Sequence, residues 1–149
     1  MSIVTKILNS FPTTEKVLYG DAFDFNTIVE SVPIDEGGLV LIQELRQSQL
    51  LFETSQRSWI ERADLLLFFL TLSTYDRDSI ANEGLIDGCR RRLIRWLLQF
   101  PVRNNDLRPV GDIRLERVYE KSDTILTGLA VSLSVREDLG TNGCNVVDT

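Results

Sequence analysis

The sequence predicts an α+β domain: an antiparallel sheet of four to five strands with one long helix and a short N-terminal helix packed on one face. Three observations predict it. Runs rich in Val, Ile, Leu and Phe recur between short polar turns, as in GLVLIQE (38–44) and TILTGLAVSLSVR (124–136). One segment, from Ile86 to Phe100, instead repeats its apolar residues at steps of three and four. The order of elements is helix, strands, helix, hairpin, without internal repeat or low-complexity stretch, which suits a sheet with its helices segregated to one side.

Taken in order, Ile3, Val4, Ile7 and Leu8 follow helical spacing, and Phe11-Pro12 ends that helix because the residue before proline is kept out of the α region. Residues 13–32 hold Val17, Leu18, Tyr19, Phe23 and Phe25 without a clear period, which predicts a short strand or extended segment and one helical turn near 26–30. PIDEGG (33–38) is a loop. A three-strand meander follows. Its strands are 38–44, 49–54 (QLLFET) and 59–72 (WIERADLLLFFLTL), the last unbroken or bulged near Ala63; turns at 46–48 and at SQRS (55–58) join them.

Asp76 or Asp78 caps the long helix. Its stripe is Ile86, Cys89, Leu93, Leu97 and Phe100, and Pro101 stops it. Asp87, Arg91 and Arg95 stand four residues apart on another side, as a solvated charge ladder. Gly84 and Gly88 each weaken the helix by about 1 kcal/mol relative to alanine, which suggests a close approach to the sheet. Residues 102–110 form a polar loop, 113–120 a fourth strand, Ser122-Asp123 a turn and 124–136 the fifth strand. In that strand Ile125, Leu129, Val131, Leu133 and Val135 point one way, while Gly128, Ala130, Ser132, Ser134 and Arg136 point the other. The second set is small and mostly uncharged, so it suits a surface covered by a helix or another subunit. Residues 1–136 form a single domain, and 137–149, with two glycines and few apolar groups, an extended or disordered C-terminal arm.

Composition excludes several classes of function. The 149 residues fit one domain. The chain has no histidine, which removes the commonest general base near neutral pH, the His-dependent nucleophile arrangements and the commonest metal ligand. Cys89 and Cys144 are too few for a disulfide framework and too far apart for a zinc spacing; Cys89 belongs to the helix stripe as a buried thiol. No phosphate-binding glycine loop or nucleophile elbow is present. Acid pairs such as Asp21/Asp24 and Asp76/Asp78 read as caps and loop solubility. The expectation is therefore no enzymatic activity, no cofactor and no metal. A net charge of −6 disfavours tight binding of free nucleic acid. Residues 1–11 lack the apolar core of a signal peptide, and the longest apolar run, Leu65 to Leu70, is too short to span a bilayer. A protein made and kept in a cytoplasm is expected.

What remains points to assembly with other protein chains. The run Arg90, Arg91, Arg92 with Arg95 reads first as a solvated face paired with Asp87 and Glu83, then as a patch for an acidic neighbour, and last, given the net charge, as a phosphate contact. Trp59 and Tyr119 are either core residues or interface anchors. The expected subunit contacts are Gln56, Arg57 and Trp59 at the hairpin turn, Arg91 and Arg95 on the helix, Ser132 and Ser134 on the sheet, and the C-terminal arm. Because Leu65 to Leu70 places apolar groups on both faces of the sheet, and the helices cover one, the other is expected to be bare and to bind a neighbour.

The layout carried by GLVLIQE, WIERADLLLFFLTL, SIANEGLIDGCRRRLIRWLLQF and RLERVYEKSDTILTGLAVSLSVRE, with a short Cys-bearing tail NGC, resembles the tail-terminator and tail-completion proteins of long-tailed bacteriophages. The likeness spans roughly residues 1 to 144 as a pattern of elements rather than a diagnostic motif. It implies a virion protein assembled in the host cytoplasm: a ring, usually a hexamer, that stops growth of the tail tube and joins it to the neck or head, with DNA passing only through its lumen. It brings no catalytic residues. A head-completion or neck protein, or a small-ligand-binding ferredoxin-like domain, would share the same layout.

Overall fold

The computed structural model describes residues 2–13, 15–20, 38–72, 79–103, 106–118 and 126–140. It is an α+β fold, with two helices on one face of a mostly antiparallel five-stranded sheet. The elements are α1 (Ile3–Asn9), β1 (Lys16–Gly20), β2 (Leu39–Glu53), β3 (Ser58–Leu72), α2 (Ser79–Arg103), β4 (Leu107–Val118) and β5 (Leu126–Gly140), and the strand order is β1-β2-β3-β5-β4. β1 is the exception to the antiparallel pattern, since it runs parallel to β2 with Lys16 opposite Leu39. A parallel neighbour requires a crossover of a dozen or more residues, and residues 21–38 supply that length.

α1 starts at Ser2, whose hydroxyl accepts from the Thr5 amide at 3.2 Å, and ends at Ser10, whose hydroxyl donates to the Ile7 carbonyl at 2.5 Å. Both are ordinary ways to satisfy orphan helix-end groups. Ser10 has a second task. The indole Nε1 of Trp96 donates to its hydroxyl at 2.7 Å, which pins α1 to α2 in the core. Trp96 stacks between Phe11 and Phe100, with ring centroids at 4.8 and 4.5 Å, and Phe69 of β3 lies tilted against Phe11 and Trp96.

The inward stripe of α2 is Ile86, Cys89, Leu93, Trp96 and Phe100, with Leu97 at its margin. It packs with Ile3 and Ile7 of α1 onto Val40, Ile42, Leu65, Leu67, Phe69, Leu129, Val131, Leu133 and Val135 of the sheet. The helix runs through Pro101 to Arg103 rather than stopping at the proline. In the last turn proline costs little more than one hydrogen bond, that to the Leu97 carbonyl. The glycines of α2 do not mediate a close approach: a Cβ at Gly84 or Gly88 would meet nothing within 4 Å.

The predicted meander is one long hairpin. β2 does not turn at 46–48; it continues for 15 residues, and register shifts between Glu44 and Arg46 and between Arg46 and Gln49 absorb the irregularity. The polar sequence Arg46–Ser48 is accommodated as a bulge, which bends a strand without reversing it. The irregularity foreseen near Ala63 thus lies in the partner strand, opposite Asp64 and Arg62. The turn at 54–57 closes the hairpin, with Arg57 left-handed at φ 50°. β4 begins at Leu107, inside the segment expected to be a loop. It is an edge strand, where Pro109 is tolerated, and it carries its own irregularity between Val110 and Arg114.

β5 alternates as expected, and it extends past Arg136 to Gly140. The chain therefore does not leave the domain at 137: Glu137 and Leu139 are buried, Lys6 Nζ of α1 lies 2.8 Å from Glu137 Oε2, and Asp138 pairs with Ile60. The rest of the expected C-terminal arm, Cys144 included, lies outside the described residues. So do Tyr119, the acid pairs Asp21/Asp24 and Asp76/Asp78, the turn at 122–123 and the helical turn near 26–30.

The second face of the sheet is not bare. Leu39, Leu41, Phe68, Leu70 and Leu126 form their own buried cluster there, with Leu18, Leu66, Val118 and Ala130 against it. The chain itself buries these side chains, so the expectation of an open apolar face fails for this half of the sheet. Two-sided burial explains why Leu65 to Leu70 reads as a continuous apolar run rather than an alternating one.

Candidate functional site

Toward the turn at 54–57 β2 and β3 form an arm at the end of the sheet, with β5 paired to β3 as far as Trp59. Cross-strand pairs place Leu50 opposite Glu61, Leu51 opposite Ile60 and Phe52 opposite Trp59. Glu61 shares a face with Ala63 and Leu65, so Leu50, Phe52, Trp59 and Glu61 lie on the helix side of the sheet. The large side chains are open to solvent: Leu50 is 62% exposed, Leu51 46%, Phe52 48% and Trp59 50%. The Phe52 and Trp59 rings touch, tilted, with centroids 5.2 Å apart. Aromatic pairs across strands stabilise a hairpin, but half-exposed rings beside Leu50, with Leu51 exposed on the other face, exceed what hairpin stability needs. Trp59 is therefore an exposed arm residue rather than a core one. Gln56 and Arg57, at the arm's tip, are exposed as well.

The arginine run of α2 divides by direction. Arg92 turns inward as a clamp. Its guanidinium meets both carboxylate oxygens of Glu15 at 2.8 and 2.6 Å, donates to the Leu70 carbonyl at 3.1 Å and lies 5.8 Å from the Phe69 ring centroid. Hydrogen bonds and charge from Glu15 raise its pKa further against the opposing effect of burial. This paired arginine joins α2, the sheet and the segment before β1. Gly38, left-handed at φ 85°, lies beneath it, and a Cβ there would collide with the guanidinium and the Leu70 carbonyl.

Arg90 and Arg91 face solvent and share Asp87, Arg91 at 2.7 Å. Glu83, expected to serve the same run, meets Arg117 of β4. Arg95 is exposed and makes no ion pair among the described residues. Beside it stand Ile94, 47% exposed, and Leu98, 72% exposed. Arg91, Ile94, Arg95 and Leu98 are spaced i, i+3, i+4 and i+7, so they form one continuous outward face.

Ser132 and Ser134 project from the second face of β5, half-buried, in the part where that face turns polar. The Ser134 hydroxyl donates to Asp64 Oδ1 at 2.5 Å and accepts from Arg62 at 3.3 Å. Arg136 joins Glu53 at 3.1 Å and Asp138 at 2.8 Å. Its pKa is raised, first by the hydrogen bond to Asp138, then by Glu53. Arg62, Asp64, Asp112, Arg114, Ser132 and Ser134 line an open groove of about 410 Å³. Charges of both signs neutralise each other across it, so it offers no strong field to an ion of either sign.

Cys89 is buried, and burial pushes its thiol pKa up despite the nearby Arg92. That is the opposite of an activated nucleophile. Among the described residues no group of three or more Cys, Asp and Glu side chains is placed to hold a metal, and no helix is long and apolar enough to cross a membrane. The predicted contact residues thus fall into three separate places: Gln56, Arg57 and Trp59 on the arm, Arg91 and Arg95 on α2, and Ser132 and Ser134 on the second face. Sequence reasoning missed Leu50, Leu51 and Phe52, which it placed in an ordinary strand, and Ile94 and Leu98. A signal was present in both cases. QLLFET has three consecutive apolar residues where a half-buried strand alternates, and Ile94 and Leu98 fall off the inward stripe. No known protein family and no curated protein sequence matches the chain.

Proposed function

We propose that this chain is a structural, non-catalytic assembly subunit: a ring-forming bacteriophage tail-terminator or neck protein that caps the tail tube and joins it to the head. One observation carries the assembly reading, the β2–β3 arm with Leu50, Leu51, Phe52 and Trp59 in the open. Solvent-exposed apolar groups of this size on a soluble domain mark a surface for another protein. The virion position rests on the resemblance in element order read from the sequence. A negative net charge suits a lumen through which DNA must slide without sticking. The absence of histidine favours a role without catalysis. A small-ligand site is less well supported, because the groove on the second face is open and polar, whereas ligand sites are mostly enclosed and apolar.

The test is the copy number and symmetry of the chain in purified phage particles, by quantitative mass spectrometry and electron microscopy. Several copies around the tail axis are expected, most simply six. A single copy, or absence from the particle, refutes the reading.

A further inference from the structure

We propose that the helix-side face of the β2–β3 arm of one copy seats on the outward face of α2 of a second copy, in a head-to-tail contact that every copy repeats. The inference rests on the assembly reading above and adds to it the two surfaces and the direction of the contact.

The two surfaces are unlike and complementary. The arm offers Leu50, Phe52 and Trp59 with one carboxylate, Glu61. Glu61 stands directly across from Glu137, whose carboxylate is held by Lys6, and no cation among the described residues pairs with Glu61. The helix offers Ile94 and Leu98 between guanidinium groups, of which Arg95 is unpaired among the described residues. Each surface thus has a charge of one sign at the edge of an apolar patch, and the partner supplies the other sign. Tryptophan and arginine are the residues that most often dominate such contacts.

Charge also selects among the possible pairings. Arm against arm would bring Glu61 toward Glu61, and helix against helix would bring Arg91 and Arg95 toward their equivalents. Like charges placed together suppress association, and opposite charges fix the register. Only arm on helix joins a carboxylate to a guanidinium. Because the two surfaces differ, each contact leaves a free arm at one end and a free helix at the other. Such a contact propagates until it closes into a ring.

The test is directional cross-linking in the full chain, with Cys144→Ser to remove the second thiol. Leu50→Cys on the arm and Gln99→Cys beside Leu98 report the contact when oxidised at high protein concentration, with sedimentation of the same samples. The variant carrying both cysteines is expected to give a ladder of cross-linked species, a mixture of the two single variants only dimers, and each single variant alone none. Glu61→Arg and Arg95→Glu are each expected to weaken association about tenfold, and the two together to restore it. Circular dichroism checks that each variant folds. Dimers from a single-cysteine variant would overturn the proposal, because they require like surfaces to meet. A sedimenting assembly without cross-links would overturn the contact and leave the assembly reading standing. A chain monomeric at every concentration would overturn the contact too, and the copy number in the particle would then judge the assembly reading alone.

Discussion

β2 and β3 pass through two environments along their length, and their two halves share much the same chemistry. Near Leu39–Ile42 and Leu65–Leu70 the strands lie between β1 and β5, under α2 and above a second apolar cluster, and their large side chains are buried. Near Leu50–Phe52 and Trp59 the same pair of strands carries side chains just as large and apolar, yet about half their surface meets water. β5 remains paired to β3 along this stretch, as far as Trp59, so the strands are held in the sheet, but nothing buries Leu50, Phe52 and Trp59 on the helix side. Apolar residues in the first half therefore hold the fold, whereas those in the second are available to a partner.

Substitutions should separate the two halves. Phe69→Ala, in the aromatic stack, is expected to lose about 3–5 kcal/mol in chemical denaturation, the usual cost of emptying a core aromatic. A loss below about 1 kcal/mol would mean that the helix layer is loosely packed. Arg92→Met leaves Glu15 partly buried without its cation, and should cost about 2–4 kcal/mol. Adding Glu15→Gln to it should recover part of that loss, since the stranded charge is then gone. Gly128→Ala places a Cβ into the Phe69 carbonyl, and a loss of about 1–3 kcal/mol is expected as β3 and β5 shift to make room. Trp59→Ala, in contrast, should alter stability by no more than about 0.5 kcal/mol while reducing self-association in sedimentation. If it unfolds the chain, the arm belongs to the core and the contrast between the halves collapses.

The smallest effect concerns Cys89. Its thiol is buried and its pKa raised, so alkylation near neutral pH should be negligible in the folded chain and fast on unfolding. The same shift fixes the sign of a pH effect. Below a thiol's ordinary pKa both folded and unfolded chains hold the proton, and Cys89 contributes no pH dependence. As the pH rises past that value the unfolded chain ionises first, so stability falls. Rapid labelling of the native protein would show that α2 opens locally from the sheet.

Much of the fold was legible because it is written in short-range periodicity. The 3.6-residue spacing of Ile86, Cys89, Leu93 and Phe100 fixed the inward face of α2, and the strict alternation of Leu129 to Val135 fixed that of β5. Where local chemistry and pairing competed, pairing prevailed. Arg46–Ser48 has the composition of a turn, but an unbroken partner strand kept β2 extended and turned the excess residues into a bulge. Trp96 fits the same spacing, three residues after Leu93 and four before Phe100, but its stacking partner Phe11 and hydrogen-bond partner Ser10 come from a distant part of the chain. The candidate site divides in the same way. Its composition, apolar runs beside isolated charges, is a property of the sequence. Which side chains stay exposed was decided by tertiary structure alone: Arg90, Arg91 and Arg92 are identical residues in a row, and only the rotation of one helix against one sheet sends Arg92 to Glu15 and leaves the other two to water.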